Sequence, residues 1–266
     1  MHFTKMQGLG NDYVYLDCTR DVPPDLPALA KAISDRHFGV GSDGLICVCV
    51  SDKADFRMRM FNADGSESEM CGNGIRCVGK FVYDKGLANK TELLIETLAG
   101  IKHLSLQVDG GEVTGITVDM GVPRPEAART VTYQSREYRG IPVSMGNPHF
   151  VLPVNDVKGF DLSILAPLSV PNPAFLDGTN VEIVEIAAPD CIRMRVWERG
   201  SGETLACGTG ACAALVAAAL EGKAARTATV QLPGGELQIR WDERDNHVYM
   251  TGPAVTVFEG DWPYTP

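Results

Sequence analysis

The alternation of apolar and polar residues divides the chain into short strands punctuated by glycine and proline. FRMRMF (56–61) and IRMRVW (192–197) alternate apolar and basic residues with a period of two, the pattern of a half-buried strand. VEIVEIA (181–187) alternates in the same way. Further strand-like segments lie at 92–97, 112–118, 229–232, 237–241 and 255–258, several of them set apart by Gly or Pro turn signals. Two segments read as helices instead, 73–85 and 209–221, each stopping before a glycine, Gly86 or Gly222, in the usual C-terminal position. The second is almost all Ala, Leu and Val, so it has to be buried on every side. A sheet rolled around a central helix is the simplest way to bury it, and the expected fold class is α+β.

These elements recur at a constant offset. Slid by 136 positions, Gly10-Asn11 falls on Gly146-Asn147, Arg57-Met58-Arg59 on Arg193-Met194-Arg195 and Glu67 on Glu203. Cys71-Gly72-Asn73-Gly74 falls on Cys207-Gly208-Thr209-Gly210, and Gly86 on Gly222. Separate matches without any shift between them point to two homologous halves. The expected division is 1–121 and 122–253, near the proline-bearing stretch Val122 to Ala128.

Composition narrows the function. With 44% hydrophobic and 22% charged residues, the 266-residue chain is of the soluble globular type. A formal charge of −10 argues against nucleic-acid and anionic-membrane partners, which require basic patches. The N-terminal residues lack a basic segment followed by an apolar run, and the longest apolar run, 211–220, falls short of the roughly 20 residues that span a bilayer. A cytoplasmic protein is therefore expected. Of the eight cysteines none forms a CxxC pair, and the five histidines are scattered, so no metal site is expected.

Two cysteines stand apart. Cys71 and Cys207 each precede a helix and are followed by Gly, a small polar residue and Gly. A helix N-terminus offers unpaired N–H groups and about half a positive charge, which attract anions. A thiol there is expected to ionise below its ordinary value of about 8.5. If the two halves present these ends to one substrate, a carboxylate is held between two thiols, one able to remove an α-proton while the other donates one. Such an inversion calls for no cofactor. For Cys18, Cys47, Cys49, Cys77, Cys191 and Cys212 the expected role is that of a small buried hydrophobe.

GLGNDYVYLD, RHFGVGSDG, FNADGSESEMCGNGIRC, GNPHFV, GTNVEIV and ERGSGETLACGTGACA, spread over residues 8–213, resemble the diaminopimelate epimerase family. The resemblance implies a PLP-independent isomerase interconverting LL- and meso-2,6-diaminopimelate for lysine and peptidoglycan synthesis. It implies two similar α+β halves, each a sheet rolled around a central helix, with the site in the cleft between them and the C-terminal segment 254–266 returning to the first half. Position by position, Cys71 and Cys207 match the catalytic pair, and Gly72, Asn73, Gly208 and Thr209 the helix-end residues that hold the reacting carboxylate. Asn11, Asn62, Asn147, Asn180, Glu198 and Arg199 match substrate-binding positions, and His149 looks like a supporting residue near the reacting centre. The charges suit a substrate with an ammonium and a carboxylate at each end. Taken singly, each Asn is also an ordinary turn residue.

Two departures from the family pattern are visible. Gly44 stands where some members have Gln, so that contact is absent or made by backbone or water, and Thr209 stands where others have Ser. Members of the family are often dimers, a point on which composition is silent. Two other readings compete. A proline racemase-like enzyme would leave Glu198 and Arg199 without a second charged end to bind. A dithiol redox protein would join Cys71 and Cys207 in a disulfide.

Overall fold

The computed structural model describes residues 1–133 and 135–263. The chain forms two compact units, Met1–Val118 together with the segment from Gly252 onward, and Asp119–Thr251.

The first unit runs β1 (His2–Gly8), β2 (Asn11–Cys18), α1 (Leu26–Ser34), β3 (Gly44–Cys49), β4 (Phe56–Asn62), β5 (Glu67–Ser68), α2 (Gly72–Asp84), β6 (Glu92–Thr97), β7 (Gly100–Asp109) and β8 (Glu112–Asp119). The second runs β9 (Arg124–Pro125), β10 (Arg129–Tyr133), β11 (Arg136–Ser144), β12 (Pro148–Pro153), a short 3₁₀ turn at Leu162–Leu165, α3 (Ala166–Ser169), β13 (Asn180–Ala188), β14 (Cys191–Glu198), β15 (Gly202–Thr204), α4 (Gly208–Leu220), β16 (Thr227–Leu232), β17 (Gly235–Trp241) and β18 (Val248–Gly252). The last strand, β19 (Val255–Asp261), pairs antiparallel with β1. It is the described part of the C-terminal segment 254–266, whose final residues 264–266 lie outside the described residues.

The repeat seen in the sequence is also a repeat of pairing. β1-β2-β3-β4-β6-β7-β8 are joined antiparallel, parallel, antiparallel, parallel, antiparallel and antiparallel. β11-β12-β13-β14-β16-β17-β18 follow in the same order and sense. Both sheets are therefore mixed, and the class is α+β.

Burial explains the strand patterns. In β4 Met58 and Met60 are buried while Arg57 and Arg59 are half-buried, as the alternation requires. β3 is buried along its whole length because it is covered on two faces. Leu45, Cys47 and Cys49 join the cluster under α1, whereas the Ile46 side chain reaches toward Gly74 of α2. In the second unit α4 touches β11, β12, β13, β14, β16 and β17. A sheet that meets one helix with six strands has curled around it, which is why a nearly all-apolar helix is tolerated there.

The helices start one residue before their expected positions, because Cys71 and Cys207 themselves serve as N-caps. Both end in the same way. Gly86 N–H bonds Tyr83 O and Leu87 N–H bonds Val82 O, and Gly222 and Lys223 make the matching bonds to Ala219 O and Ala218 O. Gly86 and Gly222 hold φ of 66° and 68°, a conformation costly to other residues. The structure adds α1 and the Leu162–Ser169 turn, which patterning does not reveal. Both are short, and Pro27 in the first turn of α1 and Pro167 in that of α3 read as breakers. Among the described residues no helix is long and apolar enough to cross a membrane.

Candidate active site

Each half builds a cysteine into the entrance of its central helix. Cys71 is extended (φ −123°, ψ 123°), and its Sγ accepts the Gly74 N–H at 3.4 Å. Cys207 has nearly the same conformation (φ −120°, ψ 111°), and its Sγ accepts the Gly210 N–H at 3.4 Å. Sulfur thus takes the place of the usual capping oxygen, aimed along the axis of a helix whose first-turn amides precede any intrahelical bond. Gly72 and Asn73 in one half, and Gly208 and Thr209 in the other, occupy those first-turn positions.

In the first unit the Cys71 thiol donates to Asn11 Oδ1 at 3.1 Å, and Asn11 Nδ2 donates to Asp43 at 2.8 Å. Asn11 is therefore placed against the sulfur by a carboxylate that Arg36 in turn holds at 2.9 Å. Asn73 is buried, with Oδ1 accepting from Arg76 at 2.9 Å. Asn62 has a different role, its Nδ2 bonding Ser66 Oγ within the turn that follows β4. Gly44 could not carry a longer residue in this backbone. A Cβ there would lie 2.1 Å from Phe61 O, so a side chain at this position is excluded by the backbone of β4.

The second unit brings more polar groups together. Asn147 Nδ2 donates to Thr209 Oγ1 at 3.3 Å, and Thr209 Oγ1 stands 3.5 Å from Cys207 Sγ. His149 Nε2 meets Asn147 Oδ1 at 3.1 Å, while its Nδ1 meets Glu182 Oε1 at 2.6 Å. Asn180 bridges strands, donating to Pro148 O at 3.1 Å and accepting the Arg199 N–H at 2.9 Å. Glu198 is half-buried and accepts from Thr204 Oγ1. Arg199 is exposed, with Nη1 on Asp177 O at 3.0 Å, and among the described residues no carboxylate pairs with it.

The expectation of an easily ionised thiol is corrected at Cys207. Burial pushes its pKa well up, and the nearby carboxylates Glu198 and Glu182 add to the effect; the Thr209 and Gly210 hydrogen bonds oppose it without prevailing. Only 6% of the residue is exposed, so loss of hydration outweighs the partial charge of the helix end. Burial likewise raises the Glu198 carboxyl, with Glu182 contributing.

Glu182 and Arg76 do not stand out in the sequence. Glu182 hides inside VEIVEIA, where it reads as the polar half of a strand, yet it is fully buried. The repeat held the missing signal, for Glu182 occupies the position of Ile46. Among the described residues no disulfide forms, and Cys18, Cys47, Cys49, Cys77 and Cys212 are buried while Cys191 is partly so. Among the described residues no group of three or more His, Cys, Asp or Glu could hold a metal ion.

A sequence model of the diaminopimelate epimerase family matches residues 3–125 and 141–257. A diaminopimelate epimerase of Methanococcus maripaludis is 52% identical over 274 residues, covering 98% of this chain and 99% of that protein. One from Acetivibrio thermocellus is 52% identical over 274 residues, covering 98% of each. Among solved structures, a phenazine biosynthesis protein of Bacillus anthracis shares the fold, with a TM-score of 0.74 at 18% identity and 98% of both chains covered.

Proposed function

The chain belongs to the diaminopimelate epimerase family, which makes it an isomerase, and from that premise we propose that it interconverts LL- and meso-2,6-diaminopimelate with Cys71 and Cys207 as its two acid–base groups. The observation that carries this reading is the duplicated cap: two sulfurs, each hydrogen-bonded to the third amide of its own helix. One thiolate takes the α-proton from one face and the other thiol delivers a proton to the opposite face. The negative charge that develops on the substrate carboxylate is met by the first-turn amides of Gly72, Asn73, Gly208 and Thr209, donors already fixed by helix geometry. No cofactor enters this route, because the charge rests on the carboxylate and the protons on sulfur.

Two features support unlike resting states for the thiols. Cys207 is kept protonated by burial and by its acidic neighbours, which suits it to donate. Asn11 bonds the Cys71 sulfur directly, whereas Asn147, at the equivalent point of the second half, bonds Thr209 instead, each after a glycine with positive φ (Gly10 85°, Gly146 102°). Glu198 is assigned to a substrate ammonium, and the exposed Arg199 fork, with Asn180 and Asn62, to the distal end. The reaction belongs to lysine and peptidoglycan precursor synthesis.

The test is epimerisation in D₂O. Deuterium should enter the α-position as LL substrate becomes meso, and proline should not react. Cys71→Ala and Cys207→Ala should each lose about 10²- to 10⁴-fold in kcat, the range of a positioned acid–base group. Ordinary turnover by either variant would end the two-thiol reading.

A further inference from the structure

Asn11 and Asn147 are matched by the repeat, yet they meet different chemistry. Asn147 stands 3.3 Å from Thr209 Oγ1, and a hydroxyl serves either end of an amide because it both donates and accepts. Asn11 meets a carboxylate. Its Nδ2 lies 2.8 Å from Asp43 Oδ2, an oxygen that also receives the Asp12 backbone N–H at 3.2 Å, while Arg36 Nη2 pairs with Asp43 Oδ1 at 2.9 Å. An ion-paired carboxylate has only acceptors to offer, so the NH₂ end of Asn11 is the end that faces it. The other end, Oδ1, is thereby left 3.1 Å from Cys71 Sγ as an acceptor for the thiol hydrogen.

Asp43 is itself held from several sides. Its backbone N–H bonds Asp12 O at 2.8 Å, its carbonyl accepts the Ala63 N–H at 3.1 Å, and Arg36 Nη2 ties it to Asp12 through a second contact of 3.1 Å. Asp12 is fixed in turn by Lys5 Nζ at 2.6 Å, from a side chain only 10% exposed. The second half lacks this frame. His149 pairs with Asn180 as Tyr13 pairs with Gly44, so Pro148 and Thr179 stand where Asp12 and Asp43 do. Thr179 is buried and turns its hydroxyl onto Asn180 O at 3.0 Å. The direct bond from amide to sulfur thus occurs in the half that has the carboxylate.

We propose that Asp43 is a positioning residue for Cys71: by taking the amide nitrogen of Asn11 it turns the amide carbonyl onto the sulfur and so fixes where the Cys71 hydrogen points. A carbonyl in that place favours a sulfur that carries a proton, since a thiolate has nothing to donate and would face another lone pair. The first half thereby holds a seat for the proton that Cys71 takes from the substrate. Tyr15 of β2 and Cys77 of α2 are the other titratable groups near this sulfur. Burial pushes Cys77 up to about 11 and Tyr15 well above its ordinary value, so neither changes charge near neutral pH.

The inference rests on the two-thiol reading only for its effect on turnover; the amide is read in the free protein. In ¹⁵N-edited spectra, with the Asn11 side-chain signals assigned from their loss in Asn11→Ala, the NH₂ should give a stronger NOE to the Asp12 backbone N–H than to the Cys71 β-protons. The reverse pattern overturns the proposal with Asp43 untouched. In Asp43→Ala the amide loses its acceptor and can turn its NH₂ to the sulfur. The pH midpoint of Cys71 alkylation by iodoacetamide should then fall by about one pH unit, with about tenfold faster reaction below the midpoint and Cys207 as the internal reference. A rate changed equally at every pH, with the midpoint in place, would mark altered exposure alone and overturn the proposal. Removing a negative charge also favours a thiolate, so the same substitution is made in Asn11→Ala, where the midpoint should stay where it is. A shift of equal size in that background would show that Asp43 acts by its charge and not through Asn11. The acid limb of kcat/KM, which reports the free enzyme's base, should move with the alkylation midpoint in Asp43→Ala, and an unmoved limb overturns the link to turnover. Active Cys71→Ala enzyme would instead overturn the two-thiol reading and leave the amide result standing.

Discussion

Cys207 Sγ receives the Gly210 N–H and lies beside the Thr209 hydroxyl, yet its thiol is harder to ionise than an ordinary one. Removal of hydration acts on the whole charge, while each hydrogen bond returns only part of that loss. The sign of a charge substitution follows. At alkaline pH the Glu198 carboxylate disfavours a thiolate at Cys207, so Glu198→Gln should let Cys207 ionise at lower pH. Its alkylation by iodoacetamide, followed by peptide mass spectrometry across pH, should quicken several-fold below the midpoint, with Cys71 alkylation as the internal reference. A slower Cys207 reaction would show that hydrogen bonding from Glu198, rather than its charge, dominates. At this scale Asn11, Asn147 and the two thiols were legible because the repeat doubles them. Glu182 is not, since an acid in a strand-like run reads as solvent-facing, and the contrary signal lies only in its match to the buried Ile46 across the repeat.

At the scale of the element, α2 and α4 allow a controlled comparison. Gly→Ala within a helix ordinarily stabilises by about 1 kcal/mol. At Gly74 the new methyl meets the end of Ile46, a flexible apolar tip that can swing aside, so Gly74→Ala should leave stability within about 1 kcal/mol of wild type. At Gly210 it meets a buried carboxylate held at 2.6 Å by His149, so Gly210→Ala should cost about 1 to 3 kcal/mol. Urea unfolding of the two variants checks this, and equal midpoints would mean that Glu182 moves as easily as Ile46. Helix ends are legible in the sequence because glycine is the residue that takes the positive φ their closure needs. The starts lie one residue ahead of where the pattern sets them, because Cys is a rare N-cap and its capping is seen only in the bond from sulfur to Gly74 or Gly210.

For the whole molecule, the closing strand has a particular part. β19 pairs along β1, and just before it Pro253 O accepts a bond from Arg76 Nε, a side chain with 0% exposure near the head of α2. Ending the chain at Gly252 would strip β1 of a partner and leave a buried guanidinium short of an acceptor. Hydrogen exchange of such a truncation should show lost protection in β1 and at the start of α2 while α4 stays protected. Uniform loss over both units would mean that they do not open independently. β19 is visible as an apolar run, whereas its return to the first half is implied only by the family resemblance, because pairing across the length of a chain leaves no local signature.

The duplication, the long helix after each of Cys71 and Cys207 and the α+β class follow from the sequence alone, because each rests on periodicity or on a residue type with a narrow conformational role. The tertiary structure decided what surrounds each sulfur. Ile46 and Glu182 are interchangeable to a strand and opposite to a thiol, and the distinction arises only where folding removes water and brings distant charges within a few ångströms of one another.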